Sequence, residues 1–302
     1  EELAAMVQAL DAKVVVFDND LSPSQVQGLE EAIGCKVLDR SELILDIFAH
    51  RATTRQAQLQ VEIAQLQYTA PRLRAMWAHL GQVTGGAPVG VGTRGPGEQQ
   101  LEIDRRLVKV RVDRLRGELA EIAGRKQREV HARRTEHFTA GLVGYTNAGK
   151  SSLFNALTRG GAFANDQLFA TLGTRGEQWN LHGGNSCMLS DTVGFIRDLP
   201  HHLVASFRST LEDAVHAHLL LVVLDVSDPR AENQLEVVEH TLNEIGATEP
   251  ARLLVLNKAD RLEAASARDS ERVHPLSWWL ERHPDALAVS AQRAVFGGLC
   301  SR

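Results

Sequence analysis

Eight residues constrain this chain more than any others. Gly144-Tyr145-Thr146-Asn147-Ala148-Gly149-Lys150-Ser151 follow the apolar run 140–143 and precede the helix-forming stretch 151–157. The spacing fits G-x-x-x-x-G-K-[ST], and strand, loop and helix stand in the order that motif requires. Its glycines let the backbone wrap an anion with N–H groups pointing inward, and the helix N-terminus adds a positive dipole end. Lys150 supplies a point charge for β/γ-phosphates, and Ser151 Oγ a hard oxygen for Mg²⁺. A plain glycine turn before a helix is the alternative, and the flanking strand and helix argue against it.

Two further loops define which nucleotide such a site takes. Asp191-Thr192-Val193-Gly194 follows the apolar run 187–189. An Asp at a strand end can reach Mg²⁺ through water, and the Gly194 N–H can bond a γ-phosphate. Asn257-Lys258-Ala259-Asp260 follows the run 253–256. The Asp260 carboxylate can accept from guanine N1–H and its 2-amino group, a donor pair adenine lacks, which argues against an ATPase. Asn257 can bridge base and phosphate loop, and Lys258 can lie along the base face. Ser290-Ala291-Gln292 ends the next strand, where a backbone N–H can meet guanine O6. Thr171, between Lys150 and Asp191, is placed to give its hydroxyl to Mg²⁺ and its N–H to the γ-phosphate. Lys150, Thr171, Asp191 and Gly194 are thus the candidate catalytic residues, with Ser151 and Thr171 as metal ligands. Phe195 stands where many GTPases place a water-orienting Gln. Slow intrinsic turnover and an activating partner are expected.

Strands expected at 139–144, 177–181, 186–191, 219–226, 253–257 and 286–290 alternate with helices at 150–158, 200–217, 231–245 and 275–283. That order implies an α/β fold, a mostly parallel sheet with helices on both faces. Upstream, residues 13–17 and 36–38 read as short strands around a helix starting at Pro23 with Ser22 as N-cap. Leu59, Ile63, Leu66, Ala70, Leu73, Trp77 and Leu80 form one helical seam, with a kink expected at Pro71. Leu101, Val108, Val112, Leu115, Leu119 and Ile122 form another, with Arg105 in register. Seven glycines and two prolines lie between them, in 81–97. An antiparallel helical hairpin with a long Gly-rich loop follows.

Charge divides the chain at the same places. Residues 1–50 carry a net −7, residues 51–137 a net +7 and residues 138–302 a net −5. The expected divisions are therefore 1–50, a partial α/β subdomain; 51–137, the hairpin; and 138–302, the nucleotide-binding domain, shortened at its C-terminal end. The basic middle suits nucleic acid or a solvated helix surface equally well. No apolar run approaches the ~20 residues of a membrane span, and no signal peptide is visible. Cys35, Cys187 and Cys300 are too far apart in sequence for a CxxC metal site or a disulfide framework, and they fit a reducing cytosol. Adjacent His201 and His202 do not share a helix face and make a poor metal pair.

The stretch 92–106, Gly-Thr-Arg-Gly-Pro-Gly-Glu-Gln-Gln-Leu-Glu-Ile-Asp-Arg-Arg, resembles the signature of the HflX family of GTPases. So do the residues from Gly144 to Ser151, Leu168-Phe169-Ala170-Thr171-Leu172, and Asp191-Thr192-Val193-Gly194-Phe195-Ile196. Phe17-Asp18-Asn19-Asp20-Leu21-Ser22-Pro23 resembles the family's N-terminal domain. After Leu172 the family continues with Asp; Gly173 stands here, so the switch I segment is altered. The resemblance implies a P-loop GTPase that binds GTP/GDP and Mg²⁺ and associates with the large ribosomal subunit and its rRNA. Ribosome splitting, rescue or biogenesis is the implied role. A cytoplasmic, ribosome-associated or membrane-peripheral location and a monomeric free state go with it. Arg94 and Arg106 are the candidate RNA contacts. The competing expectation is a nucleotide-loaded ribosome or RNA adaptor with negligible turnover.

Asp260→Asn should weaken GTP relative to XTP by about 1.5–3 kcal/mol, because a charge-assisted acceptor becomes partly a donor. Competitive titration with the two nucleotides checks this, and unchanged GTP affinity refutes the guanine assignment.

Overall fold

A computed structural model describes residues 1–83, 96–158, 175–195, 212–264, 273–293 and 295–296. Contacts divide the described chain into two units, one of 1–50 and 58–121, the other of 51–57, 122–195 and 212–296.

The first unit begins with helix α1 (Glu2–Ala9), strand β1 (Val14–Val16), α2 (Pro23–Ile33), β2 (Lys36–Leu38) and α3 (Arg40–Arg51). β1 and β2 pair in parallel, Val15 opposite Val37. Ser22 starts α2 as expected: its hydroxyl accepts from Gln25 N–H, and the Gln25 side chain accepts from Ser22 N–H, a reciprocal capping box. Gly34 ends the helix in the left-handed conformation. The sequence reading did not include α1 or α3. Asp39 starts α3, its carboxylate accepting from Glu42 N–H at 2.8 Å.

Helix α4 (Arg55–Val83) runs through Pro71 as one element, and α5 covers Pro96–Glu136. On α4 the buried stripe is wider than one seam: Ala57, Leu59, Gln60, Val61, Ile63, Ala64 and Tyr68 are all buried. On α5, among the described side chains, Val112 and Leu115 are buried, and Arg105 is exposed. The side chains of Leu73, Trp77, Leu80 and Leu101 lie outside the described residues. Arg111 Nε and Nη2 both donate to Glu62 Oε1, at 3.0 and 2.7 Å, joining the two helices.

Asp39 is fully buried and also ties α4 to the small sheet. It accepts from Leu21 N–H at 3.2 Å and from Arg72 Nη2 at 2.7 Å, and the same Nη2 donates to Leu21 O. The guanidinium lies 3.4 Å over the Tyr68 ring. Burying a carboxylate is costly unless donors converge on it, and here they do.

The second unit holds a seven-stranded sheet in the order β4-β5-β3-β6-β7-β8-β9. These strands are β3 (Thr139–Gly144), β4 (Arg175–Asn180), β5 (Ser186–Asp191), β6 (Leu219–Asp225), β7 (Ala251–Asn257), β8 (Leu287–Ser290) and β9 (Val295–Phe296). The four pairings between β5 and β8 are parallel; only the outermost strands, β4 and β9, run antiparallel. Helix α6 (Lys150–Thr158) buries Leu153, Phe154 and Leu157 against Leu142, Leu189, Leu221 and Val255. Alternate residues, Leu224 and Leu256, face Ala231 and Trp279 of the helices Ala231–Glu244 and Leu276–Arg282. Both faces are thus covered, as expected of a parallel sheet. Of the helix expected at 200–217, Glu212–Val215 is helical and the helix ends at Val215, two residues before the expected end; 200–211 lies outside the described residues. Ala259–Ala264 forms a short helix, so Ala259 and Asp260 of the expected loop motif open a helical turn. Burial raises the Cys187 thiol to about 11, leaving it protonated inside the sheet. No helix among the described residues is long and apolar enough to cross a membrane.

Arg72→Ala should destabilise the first unit by about 2–3 kcal/mol, since it strips a charged donor from a buried carboxylate. Urea unfolding measures it; a loss below about 0.5 kcal/mol, the scale of an exposed pair, refutes the account.

Candidate nucleotide site

The loop 144–151 leaves the buried strand β3 and enters α6. Lys150 is only 6% exposed; its Nζ donates to the carbonyls of Gly144 and Tyr145 at 3.1 and 2.8 Å. Burial lowers its pKa to about 8, and the Asp191 carboxylate opposes that shift. Ser151 Oγ donates to Asp191 Oδ2 at 2.7 Å. Two hard oxygens, one from α6 and one from the end of β5, thus meet at the start of α6, a donor set that suits Mg²⁺ sharing phosphate and water oxygens. Thr192 is pinned by its hydroxyl to Leu142 O at 2.7 Å.

The next residues close onto the phosphate loop through backbone. Thr146 N–H donates to Phe195 O at 2.7 Å, and Phe195 N–H to Gly144 O at 3.0 Å. The Phe195 ring is buried. A Cβ at Gly194 would stand 2.8 Å from Thr146 Cα and 2.9 Å from Lys150 Nζ, so only glycine allows this approach.

β7 delivers Asn257, buried at the strand's end. Its Nδ2 donates to Ala148 O at 2.8 Å, and its Oδ1 accepts from Ala291 N–H at 3.2 Å. Lys258 Nζ donates to Asn147 O at 2.9 Å. Asp260, largely buried, has Arg293 Nε 3.7 Å from its Oδ2. Arg293 N–H in turn donates to Ser290 Oγ at 3.2 Å. Ala259 and Gln292 flank these contacts in sequence.

Gly144–Ser151, Asp191–Gly194, Asn257–Asp260 and Ser290–Gln292 therefore gather at one end of the sheet, the carboxyl end of its parallel strands, where α/β folds bind ligands. Phe169, Ala170, Thr171, Leu172, Gly173 and Arg94 lie outside the described residues. Arg106 is exposed on α5, in the other unit. Arg293 beside Asp260 was missed in the sequence, where nothing marks it. Asp225, ending β6, was also missed; an acidic residue closing an apolar strand was the available signal. Among the described residues there is no cluster of three His, Cys, Asp or Glu able to hold a metal.

Sheet order, phosphate loop and the Asn257 ties define a P-loop protein of the GTPase fold. Residues 139–258 match the family model described as 50S ribosome-binding GTPase. Residues 1–49 and 51–134 match those described as GTP-binding GTPase N-terminal and GTP-binding GTPase middle region. The GTPase HflX of Escherichia coli (strain K12) is 45% identical over 288 residues, covering 94% of this chain and 67% of that protein. The GTPase HflX of Lacrimispora saccharolytica is 45% identical over 265 residues, covering 87% of this chain and 62% of that one. A solved structure of SsGBP with GDP is 26% identical, covers 97% of this chain and 80% of that one, and has a TM-score of 0.50. The chain belongs to the HflX family of GTPases, and it spans between 62% and 67% of the length of those two relatives.

Gly149 has φ +92°, and a Cβ there would collide with Asn257 Nδ2. Gly149→Ala should therefore break the Asn257–Ala148 tie and lower nucleotide affinity by roughly a hundredfold, the ~3 kcal/mol scale of strain plus a lost buried bond. Titration with a fluorescent guanine nucleotide checks this; affinity within threefold of the parent refutes it.

Proposed function

We propose that the chain binds GTP and GDP with Mg²⁺, hydrolyses GTP, and works on the large ribosomal subunit. The observation that carries the nucleotide reading is Asn257, whose amide bonds the phosphate loop at Ala148 and the Ser290–Gln292 loop at Ala291. In support of this reading, Asp260 follows Asn257 by three residues, and its carboxylate is taken to select guanine. In this reading Lys150 and the amides of 145–151 hold the phosphates. Ser151 and Thr171 would hold the metal, with the Asp191 carboxylate beside Ser151 helping to position it. Gly194 senses the γ-phosphate, and Phe169–Gly173 belong to the nucleotide site in this reading. Bound Mg²⁺ neutralises charge developing on the phosphate oxygens. Lys258 and Ala259 line the base, with Ser290, Ala291 and Gln292 at its O6 edge.

Three points support the ribosomal reading: family membership, the description of the model matching 139–258, and the net +7 of 51–137. Arg94 and exposed Arg106 are proposed to contact rRNA phosphates, in ribosome splitting, rescue or biogenesis. The free protein is taken to be a monomer of the cytoplasm, ribosome-associated or peripheral to a membrane. One observation favours the second reading, a nucleotide-loaded adaptor with negligible turnover. Phe195 occupies the water-orienting position, and its ring is buried.

GTP hydrolysis should be slow alone and rise roughly tenfold or more with purified large subunits, the partner supplying what Phe195 cannot. No rise, with the protein still pelleting on subunits, favours the adaptor. Arg94→Glu with Arg106→Glu should weaken subunit binding and flatten its salt dependence by roughly 0.7–0.9 log units per lost contact. Sedimentation across a salt series reads this, and parent-like binding refutes the RNA assignment.

A further inference from the structure

We propose that Asp225 is a positioning residue of the guanine site, acting through Lys258. The inference rests on the guanine-nucleotide reading above and adds a residue that lies on none of the four loops so far assigned.

Asp225 closes β6 and stands in register with Asn257 of β7. Its Oδ1 accepts from both Ser227 N–H and Ser227 Oγ, at 3.0 and 2.6 Å, so the carboxylate is fixed by its own turn. Its Oδ2 accepts from Lys258 Nζ at 2.6 Å. The pair is 15% and 14% exposed, sheltered enough that water screens it weakly. Lys258 has φ +61°, a backbone conformation that lysine rarely adopts. Its ammonium also donates to Asn147 O, and its Cε would lie 3.9 Å from a Cβ at Gly149.

A free lysine stem samples many rotamers. Here two acceptors on different loops select one of them, and the methylenes are laid against the phosphate loop. In the guanine reading, a flat base would rest on the stem so held. Without the Asp225 charge, the ammonium's remaining partner among the described residues is a neutral carbonyl, and the stem is released. The base end of the site would loosen while the phosphate end, built on Lys150 and Ser151, stays as it is.

Asp225→Asn retains an oxygen for the two Ser227 donors and removes the charge facing Lys258. Fluorescent mant-GDP and mant-GTP should each bind about tenfold more weakly, the scale of one charge-assisted bond. Inorganic tripolyphosphate, which has no base, should bind within twofold of its affinity for the parent. In a Lys258→Met background, Asp225→Asn should cause no further loss, since the carboxylate acts only through that ammonium. Thermal melting by circular dichroism tests folding, and Asp225→Ser, which keeps a hydroxyl for the turn, is used if the asparagine variant melts early. Parallel loss of tripolyphosphate, additive losses in the cycle, or unchanged mant-GDP affinity each overturn the inference. A parent that binds mant-GDP no better than mant-ADP overturns the guanine reading, and this inference with it. A parent that prefers mant-GDP beside an unaffected Asp225→Asn overturns the inference alone.

Discussion

Both ends of the Asn257 amide are used on backbone of other loops, and the second unit's functional end depends on that. The parallel strands β3, β7 and β8 stop at the same end of the sheet, with β6 standing between β3 and β7, but nothing in a sheet ladder fixes the loops beyond their last pair. Asn257 does so with one donor and one acceptor, at Ala148 and Ala291. The residue is buried, where an unmade hydrogen bond costs about 1–3 kcal/mol, so the geometry is strongly favoured over its alternatives. An aspartate there would lose the donor and a leucine both bonds. The close fit at Gly149 is the steric counterpart: the amide reaches Ala148 only because no Cβ stands in its way.

The same logic explains what could be read in the sequence. The central strands are buried on both faces, so they appear as near-continuous apolar runs, and each functional loop follows one directly. Residues 142–143, 220–224 and 255–256 leave little doubt about where a loop must begin. The β4 edge was harder: Arg175–Asn180 is mostly polar, and its expected position was two residues late. α1 has one buried residue, Val7, and so little apolar period, whereas α3 does bury Ser41, Ile44, Leu45 and Phe48 at helical spacing, a signal that Leu43 and Ile47 blur into a near-continuous apolar run. The start of α3 is set by Asp39, a residue whose other partners lie 18 and 33 positions away in sequence. Contacts of that separation leave no local pattern. For the same reason Arg293 gave no signal: its meaning comes from Asp260, across two strand connections. α4 continues through Pro71 although the loss of one backbone donor leads one to expect a bend there.

Electrostatics in the second unit follow from burial more than from net charge. The unit is acidic, yet its phosphate loop holds a lysine 6% exposed. Desolvation disfavours that ammonium, which is why its pKa falls to about 8, while Asp191 pulls the other way. The carbonyls of Gly144 and Tyr145 give Lys150 Nζ two acceptors, and a phosphate would offer it full negative charge instead. A cation held this way gains more from an arriving anion than a solvated surface lysine does, because little water must be removed from it.

Phe195 then connects charge sensing to backbone. Its ring cannot orient water, and its main chain pairs with Gly144 and Thr146 on both sides of Tyr145. The segment that begins at Asp191 and the loop that ends at Ser151 are therefore stitched twice: once by Ser151 with Asp191, once by these two amides. Anything that moves Gly194 must either carry the phosphate loop with it or break two backbone bonds beside a buried ring. Motion at this point is thus expected to be discrete, a small number of bonded arrangements rather than a continuous drift, which is the property a two-state switch needs.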